Sequence, residues 1–407
     1  MRTLVLSAAL AAGVLPASAA AQTLPLTELQ VLAQLAPESP QVQAARAGVD
    51  VARAEGLAAG RWPNPRVTFN REAVAGITED MVMVSQVLPI TGRRRLDVSA
   101  AAARVDAASG RADARLRRLR ADVRLAFTDL WAAQIREREL ARSRDRFQEL
   151  ADVLGRREAA GEAAGFDALR ADREVIGLDA DRATAAMDRA RAQAILASYV
   201  ATSTSAAAIE AVRPNAAPRV LPPLEELIAV AQRSHGELVA LERELDAAGL
   251  AERAAARRLI PEPEIVAGTK SSSAGGGDTG SIISVHVAVP LFDRARPERA
   301  AAQARSRQVR AEAETGRRML RAQVTAWHAS VAGRREIADR FRAAMAPGAD
   351  EIERIARVSY EAGEGSILEL LDAYRTALSA RMRLAALDAA VREAEIELEF
   401  VTGWEIP

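Results

Sequence analysis

Two carboxylates three residues apart, Glu369 and Asp372, follow a glycine-rich turn, Gly363-Glu364-Gly365. In a helix beginning near Ile367 this spacing puts both on one face. Acidic groups so near a helix start also simply favour the helix dipole. The three histidines, His235, His286 and His328, are scattered and lack ligand spacing, and seven methionines without clustering form no soft-metal relay. The chain has no cysteine, which excludes disulfides, thiolate metal sites and a lipid anchor on a cysteine. There is no G-x-x-x-x-G-K-[ST] motif, so energy for any transport has to come from a partner. No constellation supports an enzyme, a metal centre or a cofactor.

The elements that position these residues come in two copies. Val84-Ser85-Gln86-Val87-Leu88-Pro89-Ile90-Thr91-Gly92-Arg93-Arg94-Arg95 alternates like a strand, breaks at a proline and enters a long charged segment. The same event recurs 201 positions later, at Val285-His286-Val287-Ala288-Val289-Pro290. Leu119-Arg120-Ala121-Asp122-Val123 aligns with Leu320-Arg321-Ala322-Gln323-Val324 at the same offset, and Trp62-Pro63-Asn64-Pro65 answers Ile260-Pro261-Glu262-Pro263 at 198. Such a period sets the architecture. It predicts two repeats of helix, β-hairpin, long helix and return helix, over 22–213 and 224–407, joined by a proline-rich linker at 214–223. Residues 1–21 read as a secretory signal: Arg2, an apolar core from Leu4 to Leu15, and Ala19-Ala20-Ala21 before Gln22.

Aromatics at 3% and charged residues at 27%, balancing to a formal charge of +0, suit long helices better than an ordinary globule. Neutral balance with Arg interleaved among Glu and Asp gives no support for nucleic-acid binding. Helices are expected at Glu28–Leu35, Val42–Ala59, Arg93–Arg157, Asp167–Ala201, Glu237–Leu259, from Pro297 onward with a kink at Pro347-Gly348, and at Ile367–Val401. Strands are expected at 66–71, 81–88, 264–269 and 281–289, with turns around Ala75–Thr78 and Ser271–Asp278. In the last strand, Val285, Val287 and Val289 are expected on one face and His286 on the other. No internal segment reads as a transmembrane helix, since the uncharged run from Ala192 to Ile209 is too polar. The strands have the length a tilted strand needs to cross a bilayer, yet four strands cannot close a barrel and an isolated hairpin is marginal in water. Closure therefore requires several chains.

At this point the chain resembles the outer-membrane efflux factors, the TolC-like channels. The residues carrying the resemblance are Pro63-x-Pro65, Ser85-Gln86-x-x-Pro89 with Gly92-Arg93-Arg94, and Tyr360-Glu361-Ala362-Gly363-Glu364-Gly365-Ser366-Ile367-Leu368-Glu369-Leu370-Leu371-Asp372-Ala373. The Gly-Arg-Arg exit and the compact size look more like the heavy-metal, CusC/CzcC-type branch. The resemblance implies a mainly α fold with a small β part: duplicated antiparallel helical hairpins plus two β-hairpins. It implies a homotrimer in which a 12-stranded barrel stands over an α-helical barrel. It also implies a bacterial outer-membrane location with most of the chain in the periplasm, and a passive exit duct of a tripartite, RND-type system with a periplasmic adaptor and an inner-membrane pump as partners. Carried over onto this sequence, Glu369 and Asp372 line a constriction, Tyr360 latches it, and Asp167 is a latch partner in the first copy. Gly365 stands where drug-type members have an arginine. The turns Gly161-Glu162 to Gly165 and Gly363-Glu364-Gly365 would dock the adaptor. A periplasmic adaptor would have one hairpin flanked by β-rich domains, and a coiled-coil scaffold would not fractionate with outer membranes. The substrate, metal or drug, is not readable from these residues.

Overall fold

The computed structural model describes residues 24–160, 165–200, 206–213 and 220–404. The expected signal segment, most of the linker, and Gly161 and Glu162 of the first turn lie outside the described residues. The element order is β1 (Leu24–Leu26), α1 (Glu28–Ala33), α2 (Pro40–Ala59), β2 (Arg66–Val74), β3 (Ile77–Val87), α3 (Arg93–Ala159), α4 (Gly165–Ala197), β4 (Ile209–Ala211), α5 (Leu224–Ser234), α6 (Gly236–Arg257), β5 (Glu264–Ser272), β6 (Asp278–His286), α7 (Arg296–Glu361) and α8 (Ile367–Thr402). Two compact units interleave along the sequence, one holding the residues up to Gln34 and those from Asp129 to the linker, the other holding the rest.

Local chemistry sets most of the boundaries. Thr27 accepts from the Gln30 amide while the Gln30 side chain accepts from the Thr27 amide, a reciprocal cap that starts α1. Ser39 caps α2, and Pro40 sits in its first turn, where its missing N–H costs nothing. The first hairpin turns on Ala75 and Gly76 alone, with φ of 53° and 81°, the left-handed pair that matches strand twist. Thr78, expected in the turn, is therefore in the strand. The second hairpin turns through Gly275, Gly276 and Gly277, all at positive φ, so Ser271, Ser272 and Asp278 pair as strand residues instead of forming loop. β6 stops at His286, which leaves Val287 and Val289 beyond the ladder. At 67 residues, α3 is about 100 Å long at 1.5 Å per residue. Pro347 does not end α7, which the sequence led one to expect to bend there.

In the unit that ends at Trp404, α5 is an addition to the expected elements. Its Leu227, Ile228 and Ala231 pack with Leu320, Val324 and Val331 of α7 and with Ala394, Leu398 and Val401 of α8. α7 and α8 run antiparallel, as ion pairs Arg335–Glu395 (2.6 Å) and Arg381–Glu353 (2.9 Å) show. Glu399, only 5% exposed, receives Arg124 of α3 and lies 3.7 Å from Arg392, which reaches Glu395 at 3.1 Å. Five alternating charges thus tie three helices together. Where α3 crosses the α5–α6 junction, Gly110 meets Gly236 so closely that a Cβ at 110 would stand 2.9 Å from the Gly236 carbonyl oxygen.

In the other unit, α4 runs antiparallel to the second half of α3, with Arg144–Asp179 and Arg189–Glu137 both at 3.0 Å. It also contains a feature the sequence reading did not foresee. β1 and β4 pair in parallel, Leu24 opposite Ile209. Gln134 accepts from the Ala211 amide at 3.0 Å, and Gln193 donates to the Ile209 carbonyl at 2.9 Å. The polar run that is unfit for a bilayer core thus ends in a short buried strand, with glutamines satisfying backbone groups beside it.

Candidate functional site: membrane sheet and hairpin tip

β2, β3, β5 and β6 form one antiparallel sheet in the order β2-β3-β5-β6. The two repeats meet at its centre, where Val84 faces Ala267 and Met83 faces Gly268. Opposed residues in such a ladder share a face, so the register sorts the side chains. Val67 and Phe69, Val84 and Val82, Ile265 and Ala267, and Val285 and Ile283 all lie on one face. That face is exposed throughout, with Ile283 at 80%. The other face carries Thr68, Asn70, Ser85, Lys270, Ser284 and His286 among apolar Met81, Met83, Val266 and Ile282. Across it Lys270 pairs with Glu79 at 2.6 Å, and Ser284 meets the His286 ring at 3.4 Å. Val285 and His286 fall on opposite faces as expected. Covering an apolar side chain of this size stabilises by roughly 1.5–3 kcal/mol, so a continuous exposed patch of seven to eight is too large for an ordinary water-facing sheet. With 9 to 11 residues each, the strands match the length of a tilted bilayer-crossing strand. No described helix is long and apolar enough to cross a membrane.

Glu262, just before β5, locks the exit of β3 to the entry of β5. Thr91 donates to it at 3.0 Å and Arg93 at 3.2 Å, while the Leu88 amide donates to the Pro263 carbonyl at 2.8 Å. Sequence reasoning missed this residue. The signal was available in the aligned pair Asn64 and Glu262, where the second copy alone places a carboxylate between its prolines.

At the far end of α7, Gly363 takes φ 76° and lets the chain reverse. The Glu364 and Gly365 amides both donate to the Ser359 carbonyl, at 2.9 and 3.0 Å, and the Gly363 amide to that of Tyr360 at 3.1 Å, a left-handed helix stop. Tyr360 is half-buried in that last turn. Ser366 then caps α8: it accepts from the Glu369 amide at 3.3 Å, and the Glu369 carboxylate accepts from the Ser366 amide at 2.8 Å. Glu369 thus has a local task, while it and Asp372 stand together on the exposed face opposite buried Ile367, Leu370, Leu371 and Ala373. In the first copy Gly165 opens α4, and Asp167 lies in its first turn, half-buried. Buried Ala168, Ala171, Val175 and Leu178 of α4 match buried Leu370, Ala373, Ala377 and Ala380 of α8 at a constant offset.

The histidines stay apart. His235 lies edge-on to Phe400 at 6.3 Å, and burial, with nearby Arg117, holds its ring below the ordinary histidine range against the opposing pull of Glu237. His328 approaches the Pro222 carbonyl at 3.1 Å. Among the described residues no three His, Asp or Glu side chains converge as metal ligands would.

Residues 227–404 match the model of the outer membrane efflux protein family. The match lies within the second repeat, which is similar to that family. Its channels are transport ducts, not enzymes. Among curated proteins none matches the chain. Solved structures with this fold include a membrane protein from Pseudomonas aeruginosa, 21% identical, covering 92% of this chain and 93% of that one with a TM-score of 0.79. The outer membrane protein VceC from Vibrio cholerae is 15% identical, covering 93% and 97% with a TM-score of 0.77. CusC, described for conformational changes accompanying folding and transmembrane channel formation, is 16% identical over 93% and 92%, also at 0.77. The fold of outer-membrane efflux proteins thus extends over both repeats. VceC and CusC resemble the chain equally, so the likeness singles out no heavy-metal branch.

Proposed function

We propose that this chain is one subunit of a homotrimeric outer-membrane efflux channel, a passive duct with most of its length in the periplasm. The single observation that carries the reading is the sheet: one face with eight exposed apolar side chains and two open edges, β2 and β6. These edges run in opposite directions, so β6 of one copy can pair antiparallel with β2 of the next. Closure is required because unpaired backbone groups in lipid cost several kcal/mol each. Three copies of four strands make the 12-stranded barrel of the family. Light scattering of the detergent-solubilised chain should give a trimer with retained β-signal, and a monodisperse monomer with that signal overturns the reading.

The helical hairpins then form the periplasmic tunnel, and the turns at Gly161-Glu162 to Gly165 and Gly363-Glu364-Gly365 supply a ring of six for a periplasmic adaptor coupled to an RND-type pump. Glu369 and Asp372 line the constriction at that end, Tyr360 latches it, and Asp167 is a latch partner. The support is the exposed shared face of Glu369 and Asp372 and the matched burial of α4 and α8. Substrate identity, metal ions included, rests with the pump, because a wide duct selects weakly. Glu369→Ala with Asp372→Ala should weaken cation preference in single-channel recordings, and Tyr360→Phe should raise resting conductance. Wild-type selectivity in the double variant removes both carboxylates from the constriction.

A further inference from the structure

Where the sheet hands over to the helices, a second group of exposed apolar side chains gathers. Trp62 and Ile260 precede the two hairpins by a few residues; Ile90, Leu291 and Phe292 follow them. Phe292 is 99% exposed. Each lies within about six residues of a strand end, and all four of those strand ends sit at the same edge of the sheet. Arginines share this level. Arg61, Arg294 and Arg296 are exposed, and Arg94 stands 5.6 Å over the Trp62 ring while donating to the Gly60 carbonyl at 2.9 Å. Asp293, the exposed carboxylate beside them, accepts from the Ala295 amide at 2.9 Å. The Glu262 bonds to Thr91 and Arg93 hold the β3 exit against the β5 entry, which fixes Ile90 and Ile260 relative to each other.

We infer that this belt binds the anionic phospholipid head groups of the periplasmic-side leaflet, with the apolar side chains at the acyl boundary and Arg61, Arg294 and Arg296 on the phosphates. The inference rests on the membrane-sheet reading. The amphipathic Trp62 ring settles at head-group depth, the four hydrocarbon side chains lie against the acyl boundary, and arginine matches phosphate with a rigid fork of donors. The charge excess chooses the occupant: a protein partner would need an acidic, apolar ring at one fixed height, whereas an anionic leaflet supplies both properties around the whole circumference. The basic level also fixes how deep the sheet sits. Depth set only by apolar area would let a barrel slide, while phosphate contacts at one level resist movement either way.

The absence of cysteine allows a test with one label. The full-length protein carrying Leu291→Cys, labelled with a fluorophore, is reconstituted into bilayers containing brominated phosphatidylglycerol or brominated phosphatidylcholine. Quenching by the two lipids gives their relative association constant at position 291. Each arginine beside an anionic surface is worth about fivefold, so phosphatidylglycerol should be preferred severalfold at low salt and lose that preference at high salt. In R294Q/R296Q the ratio should fall towards one with total quenching kept. A parent ratio of one, or a variant ratio equal to the parent's, overturns the head-group assignment while leaving the membrane sheet intact. No quenching by either lipid, with the protein absent from floated vesicles, overturns the sheet reading as well.

Discussion

Arg124→Met tests the charge chain that ties α3, α7 and α8. The substitution removes the close ion-pair partner of buried Glu399, whose contact with Arg392 at 3.7 Å lies beyond hydrogen-bond reach. Deleting one member of a buried pair costs about 3–5 kcal/mol, because a charge is left uncompensated. The remaining Arg392 offsets part of that, so the expected loss is about 2–3 kcal/mol. Glu399→Met should cost a similar amount by taking the carboxylate away from Arg124, while Arg392 keeps Glu395 at 3.1 Å. The double variant removes a matched pair and fills the space with apolar atoms, which is often close to neutral; it should lose about 1 kcal/mol. The assay is denaturant unfolding followed by helical circular dichroism at fixed detergent, with ΔΔG compared only where the slope is unchanged. A double variant as damaged as the two single variants added together would mean that the residues act independently, and the network account would be wrong.

Gly110→Ala and Gly236→Ala each push a Cβ against backbone, 2.9 and 2.6 Å from the opposing carbonyl oxygens, and each should cost about 1–3 kcal/mol by overpacking. Gly155→Ala, with open space around it, should instead gain about 0.5–1 kcal/mol, and the same unfolding series compares the three. Gly363→Ala meets no neighbour but must hold φ 76°; the expected cost is about 1 kcal/mol, and Gly363→Asn should cost less. Burial keeps the His235 ring below its ordinary value, so the unfolded chain takes up a proton first as pH falls. Stability should therefore decline below about pH 6.5, and His235→Asn should flatten that slope in unfolding measured from pH 7.5 to 5.

Much of this architecture can be read from residues because its signals are local. Ala75-Gly76 between alternating segments specifies a hairpin, and the proline-free span after Arg93 specifies a long helix. Faces could be assigned from alternation, and Val285 and His286 do part to opposite sides. Signals failed where partners are distant. Leu24-Pro25-Leu26 is too short, and contains a proline, to read as a strand until Ile209 pairs with it. At the tip, Ser366-x-x-Glu369 was legible as a reciprocal cap, but weighing the carboxylate only against the dipole concealed it. Glu262 required comparing the copies position by position, because its role depends on Thr91 and Arg93 lying 171 and 169 residues away.

The seam at the middle of the sheet has a consequence for biogenesis. Thr78 donates its amide to Ser273, 195 residues further along, and every rung between β3 and β5 spans a comparable separation. The first hairpin is thus complete long before its partner emerges, and two strands alone are marginal in water. Through that interval Val67, Phe69, Val82 and Val84 are apolar edge-strand residues with nothing beside them, the situation in which chains aggregate. Pairing over so long a separation is intrinsically slow, so a chaperone that shields the first hairpin until β5 arrives would act at the most exposed moment in the life of the chain.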